Sequence, residues 1–66
     1  MIKFEKLFGL LAAEGKPATN WLRQNGLHAA TVNKLRHNQT VTTEIIDRLC
    51  DLLDCQPGDI MEHIKE

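Results

Sequence analysis

The stretch Ala18–His37, with the sequence ATNWLRQNGLHAATVNKLRH, decides the fold of this chain. It predicts two short helices hinged at Gly26, the second running from Ala29 to His37. On one side of this second helix, Val32 and Leu35 have the i, i+3 spacing of core residues. The other side has only small, amide, cationic and imidazole residues, at i, i+3, i+4 and i+7: Ala30, Asn33, Lys34 and His37. Such a face suits a polyanion whose base edges offer hydrogen-bond donors and acceptors, and the DNA major groove is the leading candidate.

An apolar stripe before this stretch predicts a first helix from about Lys3 to Glu14. Gly15 follows, and glycine commonly ends helices because it accepts a positive φ without steric cost. Residues Met1–Phe4 alternate weakly, so a short extended arm is an alternative for them. Pro17 suits the first turn of the second helix, where its missing N–H would be unpaired in any case.

Two more helices are predicted after the polar loop NQTVT at residues 38–42. Thr42 is expected to cap the fourth helix, and Pro57 is expected to begin the fifth. The apolar positions of the fifth helix are Ile60, Met61 and Ile64. Since strand patterns and internal repeats are lacking, the sequence predicts one all-α domain of five helices over residues 1–66, with the two-helix motif at about 18–37.

The length of 66 residues is near the lower limit for a domain that folds unaided. A domain of this size buries only about 60% of the surface of its unfolded chain, so oligomerisation would add needed stability. No apolar run approaches the roughly 18 residues that cross a membrane. Glu5 and Lys6 interrupt the apolar start, which argues against a signal peptide. The expected location is the cytoplasm, with no contact with a membrane.

Charge is unevenly distributed although the net charge is only −1. Residues 15–40 contain four basic residues and no acidic one, whereas residues 41–66 contain two basic and seven acidic residues. The positive potential is therefore concentrated on the segment that would touch phosphates, and the overall charge does not argue against nucleic acid.

Catalytic and metal-binding patterns are weak. Cys50 and Cys55 are expected to be ordinary reduced thiols, with a disulfide or half of a metal site as the alternatives. The chain has no serine and no glycine-rich phosphate loop, and the carboxylates of the fourth helix have the pattern of a solvated face: Asp47, Asp51 and Asp54. We expect no enzyme, no cofactor and no metal.

Several segments together resemble a known family: LLA at residues 10–12, Gly15, Gly26, VNKLRHNQT at residues 32–40 and IIDRLCDLLDCQPGDI at residues 45–60. The chain is similar to the lambda-repressor-like, Cro/CI-type (XRE) helix-turn-helix regulators, particularly their short stand-alone members. The resemblance covers nearly the full length and implies a five-helix lambda-repressor-like domain that binds double-stranded DNA and regulates transcription.

Two positions differ from the usual pattern of this family. Ala18 stands where members often have a glutamine that binds phosphate and braces the recognition helix. Leu22 stands where members usually have a small residue, commonly alanine. The larger side chain is expected to separate the two helices or change their angle unless the first helix compensates.

The resemblance implies which side chains face DNA. In a helix-turn-helix the second helix lies in the major groove, and the positions facing bases would be His28, Ala29, Ala30, Asn33, Lys34 and His37. Phosphates would be contacted by residues of the second helix and the loop after the third, with two long-range cations: Thr19, Asn20, Asn38, Gln39, Thr40, Lys16 and Arg36.

One copy should bind weakly, so a homodimer on two half-sites is expected, with Ile60, Met61 and Ile64 either as its surface or as part of a monomer core. Regulation would be steric, by occupancy of an operator. The alternative is a protein-binding module of the same fold, antitoxin-like or a regulatory partner, that docks a basic protein on the acidic half. The operator, the regulated genes and the sign of regulation are not readable from the sequence.

Overall fold

Five α-helices form most of the chain in the computed structural model, which describes residues 1–65. They are α1 (Glu5–Ala13), α2 (Ala18–Gln24), α3 (Ala29–Arg36), α4 (Thr43–Leu53) and α5 (Pro57–Ile60). The predicted five-helix, all-α class is confirmed, and the helices of the two-helix motif lie within its predicted bounds. No helix in residues 1–65 has the length and apolar character needed to span a bilayer.

A short β-ribbon joins the two ends of the chain. Its strands are β1 (Ile2–Lys3) and β2 (Glu62–His63), which pair antiparallel with Ile2 opposite His63. The sequence did not predict this ribbon, although the extended alternative for residues Met1–Phe4 is consistent with β1. Two hydrogen bonds extend the pairing by one residue: the Met1 amino group donates to the Ile64 carbonyl at 2.6 Å, and the Ile64 amide donates to the Met1 carbonyl at 2.8 Å.

The predicted extent of the fifth helix is wrong. α5 ends at Ile60, and Met61 is already extended, with φ −144° and ψ 161°. The physical reason is the ribbon, because pairing with the first residues of the chain requires extended backbone after Ile60. Because of the same pairing, α1 begins at Glu5 and not at about Lys3, where it was predicted to begin.

In the part of the chain that the structure describes, nine apolar side chains form one core to which all five helices contribute. They are Phe4, Leu7, Leu11, Leu22, Leu27, Val32, Leu35, Leu49 and Ile60. Val32 and Leu35 are buried as predicted, and they fix which side of α3 faces solvent. Ile60 has no exposed surface, so it belongs to the core and not to a dimer surface.

Turn residues end the first two helices as predicted. Gly15 has φ +72° and Gly26 has φ +91°, a conformation that favours glycine. Arg48 of α4 holds the second turn, because its Nη2 donates to the carbonyl of Asn25 at 2.8 Å. A cation at this position also satisfies the carbonyl end of α2. Thr42 caps α4 by accepting from the Ile45 amide at 3.3 Å.

Candidate nucleic-acid interface

The outer face of α3 is exposed over its whole length. Burial of Val32 and Leu35 directs the opposite side to solvent, and all six predicted base-facing residues are exposed: His28, Ala29, Ala30, Asn33, Lys34 and His37. Within residues 1–65, the side chains of Asn33 and Lys34 make no hydrogen bond. Their donors and acceptors are therefore available to a ligand.

His28 has a structural contact that the sequence analysis did not predict. It is the N-cap of α3, and its Nδ1 accepts from the Ala30 amide at 3.1 Å. An accepting Nδ1 has no proton, so in this arrangement the ring can offer only Nε2–H to a partner. The cap also fixes where α3 begins, and α3 is the helix that would enter the DNA major groove.

Two of the predicted phosphate contacts lie against each other. The Arg36 guanidinium donates to the Thr19 hydroxyl oxygen from Nε at 2.9 Å and also from Nη2. The same guanidinium lies over the Phe8 ring, 4.9 Å from its centroid. A single arginine thus ties the first turn of α2 to the last turn of α3, with α1 beneath it.

Arg23 belongs to this region although the sequence analysis did not select it. It is exposed, and it lines a shallow cleft of about 140 Å³ between α2 and α3 together with Thr19, Ala29, Val32, Asn33 and Arg36. Its position four residues after Thr19 puts both on one side of α2, which is the signal that could have identified it. The lining contains two arginines and no carboxylate.

Other predicted phosphate residues have mixed surroundings. Asn38, at φ +56°, uses its Oδ1 to accept from the Phe4 amide at 2.8 Å, so that oxygen is committed to the fold. Lys16 pairs with Glu14 at 2.7 Å and lies 5.8 Å from the Trp21 ring centroid, and the Glu14 carboxylate offsets the positive potential that Lys16 presents to solvent. The three remaining residues are exposed: Asn20, Gln39 and Thr40.

The exposed carboxylates of α4 contrast with the basic segment. Glu44, Asp47 and Asp51 are all exposed, and Asp54 follows directly after the helix. No hydrogen bond or ion pair among residues 1–65 uses these four carboxylates. They form a solvated acidic surface, which was predicted for Asp47, Asp51 and Asp54.

The two cysteines are half-buried free thiols at the end of α4. The Cys55 amide donates to the Cys50 carbonyl at 3.0 Å, which brings the two residues together. Burial raises the pKa of the Cys55 thiol, and neighbouring Cys50 adds to the increase. From Met1 to residue 65, no group of three or more His, Cys, Asp or Glu residues is placed to hold a metal ion.

A family sequence model and a solved structure both match this chain. The sequence model for the family described as the Cro/C1-type HTH DNA-binding domain matches residues 10–66. The crystal structure of the transcriptional regulator VanUg, in its form II, has a TM-score of 0.90 and 28% sequence identity to this chain. That likeness covers 98% of this chain and 87% of the other. No curated protein sequence matches the chain.

Proposed function

The chain belongs to the Cro/C1-type helix-turn-helix family of DNA-binding domains, and from this premise we propose that it regulates transcription by binding specific duplex sites with α3 in the major groove. The observation that carries the proposal is the outer face of α3, which is exposed and has an amide and a cationic group, on Asn33 and Lys34, without hydrogen bonds to residues 1–65. The similarity to VanUg, a transcriptional regulator, supports the same function.

Four exposed side chains of α3 have proposed roles that suit their chemistry. Asn33 can both donate to and accept from an adenine edge, and Lys34 can donate to guanine O6 and N7. Ala29 and Ala30 offer only methyl groups, which can contact a thymine methyl or let the helix approach closely. Because few side chains read bases directly, DNA shape supplies part of the specificity.

The proposed functional unit is a homodimer that occupies an operator and excludes other proteins from it. One small domain makes few phosphate contacts, whereas two copies on half-sites about one helical turn apart add their contacts. Because Ile60 is buried, we place the proposed dimer contact on the β-ribbon and not on the fifth helix. Among residues 1–65, three of the four exposed large apolar side chains lie at the ribbon: Met1, Ile2 and Ile64.

The acidic surface of α4 supports a second function, docking of a basic protein. Affinity measurements on paired charge variants separate the two functions. For DNA binding, Lys34→Ala should weaken duplex affinity about tenfold or more, and affinity should fall steeply with salt. Asp51→Asn should leave duplex affinity unchanged or raise it slightly. Duplex affinity that is indifferent to Lys34→Ala and to salt would contradict DNA binding and favour the protein partner.

A further inference from the structure

The Thr19 hydroxyl accepts two hydrogen bonds from the Arg36 guanidinium. A hydroxyl oxygen has two lone pairs to accept with and one proton to donate. Two N–H groups of the Arg36 guanidinium donate to this one oxygen. The Thr19 hydroxyl donates no hydrogen bond among residues 1–65, and because its lone pairs accept from Arg36, its O–H bond points away from the guanidinium.

Phe8 keeps the guanidinium in place. The guanidinium carbon lies 4.9 Å from the centroid of the ring, a cation–π contact that holds the group in addition to its hydrogen bonds with Thr19. Lysine could retain the positive charge but could not present two N–H groups in a fixed plane. The arrangement therefore depends on arginine at position 36.

We infer that Arg36 is a positioning residue that fixes the Thr19 hydroxyl as an outward-pointing donor to a phosphodiester group of bound DNA. The inference rests on the proposed DNA-binding function and adds one defined phosphate site to it. A hydroxyl whose lone pairs accept from a cation is also a stronger donor, because hydrogen bonds in a chain polarise one another.

The surroundings select a phosphodiester as the ligand. Thr19 and Arg36 line the cleft between α2 and α3, which also has exposed Arg23 on one wall and Asn33 on the other. The segment from Gly15 to Thr40 contains no carboxylate that would repel an anion. Asn33 also belongs to the proposed base-facing surface, so an anion in this cleft lies beside a groove that α3 occupies.

The test measures binding of a labelled mixed-sequence duplex of about 20 base pairs at low salt, because phosphate contacts do not require a particular sequence. The variants are Thr19→Val, which removes the hydroxyl, Thr19→Ser, which keeps it, Arg36→Lys, and the Thr19→Val/Arg36→Lys double variant. Lys6→Gln is the charge control. Lys6 lies two residues before Phe8 on α1, and its Nζ donates to the Gly58 carbonyl at 3.1 Å, away from the cleft.

Thr19→Val and Arg36→Lys should each weaken duplex binding roughly tenfold, the effect of one lost hydrogen bond to a charged group. The double variant should lose no more than either single variant, because both remove the same oriented donor. Thr19→Ser should bind like the parent, with folding of every variant verified by urea unfolding.

Two results would overturn the inference in different ways. If the parent binds and Thr19→Val binds equally well, or if the two losses add, the oriented-donor site is wrong while DNA binding stands. If the parent fails to bind the duplex at all, the proposed function and this inference fail together. Coupled losses with serine retaining affinity would establish the site, since a general loss of stability would not spare Thr19→Ser.

Discussion

At the scale of single residues, Gly26 and Arg48 determine how α2 turns into α3. Gly26 adopts φ +91°, and a Cβ at this position would overlap the Arg48 guanidinium that holds the Asn25 carbonyl. Two features therefore favour glycine at position 26: the positive φ of its backbone and the space that the Arg48 guanidinium occupies. This pair stabilises the turn that leads from α2 into α3.

Gly26→Ala is expected to lower the free energy of unfolding by about 1–2 kcal/mol, because alanine is strained at this φ and displaces a guanidinium. Gly9→Ala is the matched control. Gly9 lies within α1 with open space around it, so alanine there should raise stability by about 0.5–1 kcal/mol. Urea unfolding of both variants measures the difference. Equal effects at the two sites would contradict the conformational role of Gly26.

Arg23 is an exposed cation of the cleft, and its guanidinium makes no hydrogen bond among residues 1–65. Arg23→Gln should reduce the slope of log affinity against log salt by about one unit, since one phosphate contact is lost. Titration of a duplex at several salt concentrations measures the slope, and Lys6→Gln should leave it unchanged. A slope equal to that of the parent would show that Arg23 lies away from the DNA backbone.

At the scale of elements, the sequence predicts what local patterns determine and misses what distant pairing determines. The apolar stripes, Gly15 and Thr42 give the helix ends to within about two residues, because these signals act over one turn. The ribbon depends on Ile2 meeting His63, and two-residue strands have no periodicity to recognise.

In the candidate site, too, features set by local sequence patterns could be predicted, and features set by contacts between distant residues could not. Exposure of the α3 face could be predicted, because burial of Val32 and Leu35 leaves the opposite side to solvent. The contact between Thr19 and Arg36, and the one between Asn38 and Phe4, join residues 17 and 34 positions apart in sequence. Whether a polar side chain contacts DNA or another helix depends on such packing, which residue type does not reveal.

Asn38 links the end of α3 to the beginning of α1, and its replacement tests that link. Asn38→Ala should cost about 2 kcal/mol of stability, because the half-buried Phe4 amide loses its acceptor and alanine is strained at φ +56°. Asn38→Gly removes the acceptor but tolerates the backbone conformation, so its cost should be about half as large. Urea unfolding provides both values. Stability equal to that of the parent in both variants would contradict the structural role.

At the scale of the whole molecule, a nearly neutral chain separates its charges by segment. Residues 15–40, which contain α2 and α3, hold four of the eight lysines and arginines and no carboxylate, whereas residues 41–66 hold seven of the nine carboxylates. This separation gives the domain an orientation relative to a polyanion, since the acidic half is repelled from phosphates while the basic half is attracted.

Assembly is also a property of the whole molecule. If two copies meet at the ribbon, an Ile2→Ser/Ile64→Ser variant should be monomeric under conditions where the parent is a dimer, because both exposed side chains lose their apolar surface. Sedimentation equilibrium measures the mass of each. Leu52→Ser is the matched control, since Leu52 is equally exposed on α4. A parent that remains monomeric with and without DNA would contradict the dimer.

The central claim, that the exposed face of α3 reads specific DNA, is tested most directly by selecting bound duplexes from a random-sequence pool at about 0.1 M salt. The parent and an Asn33→Ala/Lys34→Ala variant are selected side by side. We predict that the parent recovers a palindromic motif and that the variant, with its fold intact, recovers none. The same motif from both proteins, or enrichment from neither, would contradict base recognition by α3.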